Sequence, residues 1–177
     1  MSRSHLIVCG LVALAACATD SASGGGGGGV DFQPTGRITI AAGNGAIFNA
    51  NHVSGPKIHV KQRQDGSWGG TITGSAGTQV PIDCTFSNGQ FVGSNLRMSI
   101  SQADQQTTIT GTFNDRIVRF EFSPTEIRVR TPSRSENYVK LPAEGEYGGP
   151  TTVKLEGEAA TYPPTPAFAL AALGGFL

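Results

Sequence analysis

The chain has 177 residues, with 13 basic and 13 acidic side chains, and charged residues make up only 15% of it. That length suits one domain with a sizeable core. The charge balance lacks the basic excess of a nucleic-acid binder, so no nucleic-acid partner is expected.

Arg3 gives a positive start, and Leu6 to Ala16 is apolar or small apart from Cys9. The run is too short for a membrane span and fits the apolar region of an export signal. It ends in Leu14-Ala15-Ala16-Cys17, which resembles the lipobox of bacterial lipoproteins. The resemblance covers only the first 17 to 20 residues. It implies cleavage before Cys17, a diacylglycerol on its sulfur, and a fatty acyl chain such as palmitate on the new amine. Ala18 stands where members held at the inner membrane often carry aspartate, so the resemblance implies an outer-membrane lipoprotein. Two or more acyl chains anchor stably, whereas one binds marginally. Ala16-Cys17-Ala18 also reads as an ordinary secretory cleavage site, which would release the chain without Cys17.

The expected organisation is a signal peptide over 1–16, a lipid anchor and Ser/Gly tether over 17–29, an antiparallel β domain over 30–158, and a tail over 159–177. Six consecutive glycines, Gly24 to Gly29, dominate the tether. By square-root scaling, a dozen such residues span about 20 Å. No helix follows the glycines and no P-loop lysine accompanies them, so they form no phosphate cradle.

From Arg37 to about Leu155, apolar residues alternate with polar ones, and turn signals recur regularly. Gln64-Asp65-Gly66 predicts a turn with Gly66 in a G1 bulge, which sets Gln62 against Trp68, Val60 against Gly70 and Ile58 against Ile72. Asn88-Gly89 sets Phe86 against Phe91. The apolar parity then changes between Phe91 and Leu96, which predicts a bulge at Gly93-Ser94-Asn95. A loop at Ala103 to Gln106 sets Ile100 against Ile109 and Leu96 against Phe113. Asn114-Asp115 sets Ile109 against Phe120, and Ser123-Pro124-Thr125-Glu126 sets Phe120 against Val129 and Arg119 against Arg130. Tyr138-Val139-Lys140-Leu141 and Thr152-Val153-Lys154-Leu155 are expected to complete the sheet, with Arg37-Ile38-Thr39-Ile40 pairing near them or with Ala46-Ile47-Phe48 across Gly43-Asn44-Gly45.

Inward glycines at Gly70, Gly93 and Gly111 imply strong curvature or close approach. The expected fold is all-β: a small antiparallel meander forming a closed or nearly closed barrel, with a two-sheet sandwich as the alternative. Gly66-Ser67-Trp68 resembles the G-x-W of lipocalins, a further hint of barrel architecture. Outward residues such as Thr108, Thr110, Arg119, Glu121 and Arg128 belong in water, which argues against a membrane-spanning barrel. After Tyr162-Pro163-Pro164-Thr165-Pro166, a stiff extended piece, residues 167–177 are apolar and uncharged. They could pack over an open barrel end, dip into lipid, or remain disordered; the simplest reading is a short apolar tail that folds back on its own domain.

Chemistry-bearing residues are sparse. His52 is placed in a loop and His59 on the solvated face, so no metal site is expected. Cys84 alternates with Ile82 and Phe86, the setting of an inert core thiol. No nucleophile–base pair or cofactor motif is evident, and no enzyme is expected. The one concentrated feature is Arg116, Arg119, Arg128, Arg130 and Arg134, five arginines within 19 residues. They suggest a patch for an anionic envelope component or acidic protein, against the simpler reading of a solvated, charge-balanced face. The functional expectation is a non-enzymatic binding or structural role at the envelope, held to the membrane through lipidated Cys17. The alternatives are an inhibitor of a peptidase or lysozyme, and a carrier of a small apolar ligand inside the barrel.

Overall fold

The computed structural model describes residues 32–41, 43–74 and 76–177. The signal peptide, Cys17 and the tether lie outside the described residues. The strands are β1 (Gly36–Ile40), β2 (Asn44–Asn49), β3 (His52–Gly55), β4 (Ile58–Gln62), β5 (Trp68–Thr73), β6 (Gln79–Ser87) and β7 (Gln90–Gly93). They continue as β8 (Leu96–Ala103), β9 (Gln106–Phe113), β10 (Arg116–Phe122), β11 (Glu126–Thr131), β12 (Arg134–Lys140), β13 (Glu146–Gly148) and β14 (Thr152–Gly157). A 3-10 turn (Glu158–Thr161) and helix α1 (Pro166–Phe176) follow.

All fourteen strands form one closed antiparallel barrel in which each pairs with its neighbours in sequence. The seam joins first to last: Ile38 faces Leu155 of β14 on one side and Ala46 of β2 on the other. The N-terminal strand therefore makes both expected pairings at once, and closure removes every free sheet edge.

The hairpin registers follow the turn chemistry. Ile58 faces Ile72 and Gln62 faces Trp68; Phe86 faces Phe91; Leu96 faces Phe113; Phe120 faces Ile109 and Val129. Asn88 and Gly89 both have positive φ (50° and 74°), as do Asn114 and Asp115 (50° and 61°), the backbone a two-residue hairpin needs. Gly66 takes φ 83° in its predicted bulge.

One expectation is corrected. The parity change after Phe91 comes from a chain reversal, not a bulge. Gly93 ends β7, Leu96 starts β8, and Phe91 lies opposite Met98. Asn95 secures the turn by donating its side-chain amide to the Pro81 carbonyl at 3.0 Å. A bulge and a tight turn both move the apolar set to the other parity, so alternation alone did not separate them.

Gly111 shows why the wall curves. A Cβ there would lie 2.0 Å from the Arg97 carbonyl oxygen and 2.6 Å from the Met98 Cα, so only glycine admits the neighbouring strand. Gly70 and Gly93 meet their neighbours as closely.

The apolar tail is the centre of the molecule. It forms α1, with Thr165 as N-cap accepting the Phe168 N–H at 3.4 Å and Pro166 in the first turn. Residues from Ala167 through Phe176 are buried on every side of the helix. A helix apolar all round is stable only where no side meets water. Here the barrel wall surrounds it: Phe168 packs on Phe48 and Phe122, and Phe176 on Phe120, Phe122 and Tyr138. The tail thus folds back on its own domain, as the simplest sequence reading has it, but deeper than a lid on the barrel end. Exposing Phe168, Leu170, Leu173 and Phe176 would cost on the order of 10 kcal/mol at about 1.5–3 kcal/mol each. That matches the net stability of a whole domain, so α1 is core and not a loose plug.

A latch fixes its entry. Tyr162 adopts a left-handed backbone (φ 51°) between the 3-10 turn and the prolines. Its carbonyl accepts from the hydroxyl of Thr107, a fully buried polar residue, and from the Gln102 amide at 3.3 Å. Its hydroxyl meets that of Tyr147 at 2.6 Å, and Tyr147 donates to the Ser123 carbonyl at 3.0 Å. These bonds satisfy polar groups where the chain turns inward.

The two helix glycines differ. A Cβ on Gly174 would lie 2.4 Å from Ile58 Cγ2, whereas one on Gly175 would meet Ile40 Cδ1 at an ordinary 3.5 Å. Gly174→Ala should therefore destabilise the domain by about 1–3 kcal/mol through overpacking. Gly175→Ala should be neutral or stabilising by up to about 1 kcal/mol from helix propensity. Urea unfolding of both variants checks the contrast; equal destabilisation would contradict the placement of α1.

Candidate functional site

Strand alternation splits the five arginines. Arg119, Arg128 and Arg130 stand on the outer face of β10 and β11, with Arg119 directly opposite Arg130 and Glu121 opposite Arg128. Arg116 and Arg134 fall on the inward parity, Arg116 opposite the buried Phe113 and Arg134 opposite Thr131. Both sit at strand ends, on the rim of one barrel mouth.

On the outer face the like-charge contact is partly relieved. Arg119 Nε lies 2.6 Å from Glu121, whose side chain is only 14% exposed. Arg128 reaches Glu126 at 2.5 Å and Glu121 at 3.5 Å. Arg130 turns to the Ser135 hydroxyl at 2.7 Å and has no carboxylate partner among the described residues. Two carboxylates thus face three guanidiniums, an excess of one positive charge centred on Arg130. These pairs are half in water, where each contributes little to stability. Beside Arg119, Ile117 is 75% exposed, and Val92 lies on the same outer row through Arg97 and Thr112.

At the mouth, Arg134 lies 3.6 Å from Glu136, which also accepts the Tyr138 hydroxyl at 2.5 Å. Burial, followed by the adjacent Glu136, pushes the Tyr138 phenol well above its ordinary range. Lys57 lies at the same mouth, its carbonyl accepting the Thr73 N–H at 2.7 Å. Burial and then repulsion from Arg134 hold its ammonium below the ordinary lysine value.

His52 opens β3 and is not in a loop. Its ring packs on Phe32 at 4.3 Å and edge-on to His59 at 5.3 Å, and Lys61 is its ladder partner. Its Nε2 is buried with no hydrogen-bond partner among the described residues. Burial first, then His59 and Lys61, lower its pKa from the ordinary 6.5. Sequence reasoning missed one contact: Ser54 Oγ lies 3.4 Å from His59 Nδ1 across β3 and β4. Pairing those two short strands in register would have found it. The contact is exposed, and no described carboxylate orients the imidazole, as a nucleophile–base pair would need. Among the described residues, no group of three or more His, Cys, Asp or Glu converges as metal ligands do.

Cys84 is buried at 3% exposure on the inner face, opposite Trp68 and Gly93. Burial and the neighbouring Asp83 push its thiol up to about 11. Trp68 is also fully buried, and its indole N–H has no partner among the described residues. Arg63 reaches Asp83 at 2.6 Å.

Polar outer rows around an apolar, helix-filled interior are the reverse of a membrane barrel's layout. Among the described residues no helix is long and apolar enough to cross a membrane. The molecule is thus a closed, helix-filled antiparallel β-barrel with charged outer rows and a cationic mouth. No family model, curated protein or solved structure matches the chain.

Two measurements test these environments. With its pKa raised to about 11 and its sulfur enclosed, Cys84 should react with a thiol reagent at pH 8 only after denaturation. Rapid labelling at Cys84 itself in the folded protein would contradict the buried placement. His52 has a folded pKa below its unfolded value, so the unfolded chain takes up a proton first on acidification. Its contribution to stability should be complete above about pH 6.5 and fall as pH drops through the window below that value. His52→Gln should flatten that slope in melting curves collected across the window.

Proposed function

We propose that the protein is an exported, lipid-anchored envelope protein with a non-enzymatic binding role carried by the outside of its barrel. The observation that supports this reading most is the Arg119–Arg130 pair. It sets two arginines directly opposite each other on an exposed strand ladder, one without a carboxylate, with exposed Ile117 on the outer face two residues before Arg119. Like charges facing across a ladder cost stability, and an anionic partner would relieve that cost. The interior is filled by α1, which argues for the exterior over a ligand carried inside the barrel. An inhibitor would use a protruding loop; the turns at Asn88-Gly89, Asp104-Gln105 and Asn114-Asp115 are tight two-residue connections, and the connections after β4, β5 and β12 have five residues each.

The lipobox-like Leu14-Ala15-Ala16-Cys17 supports acylation of Cys17 and attachment to the outer membrane. The partner on this reading is an anionic envelope component or acidic protein surface, with no cofactor.

Two variants test the proposal. Cys17→Ala should abolish lipid labelling and move the protein out of the membrane fraction; unchanged fractionation would refute the anchor. Arg119→Ala/Arg130→Ala should reduce partner recovery from envelope extracts by about tenfold or more and weaken its salt dependence. Equal recovery would refute the outer ladder as the binding surface.

A further inference from the structure

The mouth beside Leu177 has the chemistry of a second, separate site. A cleft of about 250 Å³ there is lined by Val80, Phe113, Leu177, Ala76 and Arg116, among others. Val80, Phe113 and Leu177 are 7%, 5% and 5% exposed, the three least buried members of the apolar core. The core thus comes close to solvent here. Its floor is apolar, and Arg116 stands exposed on its rim.

Other cations gather at the same end. Lys57 adjoins Thr73, next to the cleft residue Gly74, and Arg134 follows the cleft residues Pro132 and Ser133. Arg134 is near enough to Lys57 to disfavour its charge. Of the acids at this end, Glu136 is already engaged by Arg134 and Tyr138, and Asp115 is exposed in the β9–β10 turn. Neither Arg116 nor Lys57 has a carboxylate within ion-pair distance among the described residues. An apolar floor beneath an exposed guanidinium, Arg116, with no side-chain carboxylate within ion-pair distance among the described residues fits a ligand with an anionic head and an apolar chain. The volume lies below the roughly 300–1,000 Å³ of drug-sized pockets, so the chain is short or only its end is held.

We propose that this mouth binds a single-chain anionic amphiphile, its head on Arg116 and its chain on Val80, Phe113 and Leu177. Guanidinium pairs with carboxylate or phosphate in two-point fashion, and the chain gains by leaving water. The site does not depend on the outer arginine ladder or on the anchor.

Calorimetric titration of the full chain carrying Cys17→Ala tests it. Sodium octanoate and octyl phosphate should each bind saturably at one site below their micelle-forming concentrations. Octyl glucoside and inorganic phosphate should bind at least about tenfold more weakly, since each lacks one half of the recognition. Arg116→Gln should weaken octanoate binding about tenfold, and Ala76→Phe, which fills the cleft, should abolish it. Arg119→Gln/Arg130→Gln should leave it unchanged, which keeps this site distinguishable from the outer face. Melting curves establish that each variant is folded. The proposal is overturned if folded protein binds neither anionic amphiphile saturably, or if octyl glucoside or inorganic phosphate binds equally well. Binding that survives Arg116→Gln and Ala76→Phe together would also overturn it.

Discussion

The structure depends on enclosing α1. This helix carries phenylalanine, leucine, alanine and glycine on all sides and has no charged residue. Water cannot solvate any face of it cheaply, and a single flat sheet could cover only one. A closed wall covers them all. The barrel needs the helix for the same reason, because its inward side chains face a wide interior and α1 supplies much of the apolar matter that fills it. The seam between β1 and β14 and the Tyr162 latch are the means of enclosure. They tie the first strand to the last and fix the point where the chain turns inward.

That enclosure limits where function can reside. Closure leaves no sheet edge for strand addition, and α1 occupies the interior. What remains are the outer rows of side chains and the two rims. Alternation along β10, β11 and β12 then sorts one cluster of arginines onto two surfaces. Arg119, Arg128 and Arg130 face outward among glutamates and hydroxyls. Arg116 and Arg134 go to the mouth, where Val80, Phe113 and Leu177 of the apolar core line a cleft. The outer group suits a broad anionic surface held by charge. The mouth suits a small ligand with an apolar part.

Much of the wall was legible because its signals are local. Asn88-Gly89 and Asn114-Asp115 favour the positive φ of tight hairpins, and a known turn sets the register of its two strands. Arg119 opposite Arg130 followed directly from the Ser123–Glu126 turn. The reversal at Gly93-Ser94-Asn95 was less legible, because the pairing of Phe91 with Met98 is set by the path of the chain and not by parity. The Ser54–His59 contact was missed for a related reason: β3 has only four residues, and its pairing with β4 is set by the path of the chain.

The sequence by itself determined which residues alternate, where several of the hairpins turn, and that the last residues are wholly apolar. These are properties of neighbours along the chain, governed by the two-residue period of strands and by backbone preferences. Only the tertiary structure decided that β1 closes on β14, that the apolar tail runs inside the wall, and that the five arginines divide between two surfaces. Those outcomes depend on curvature summed over fourteen strands and on the volume it encloses, which no short stretch of sequence encodes.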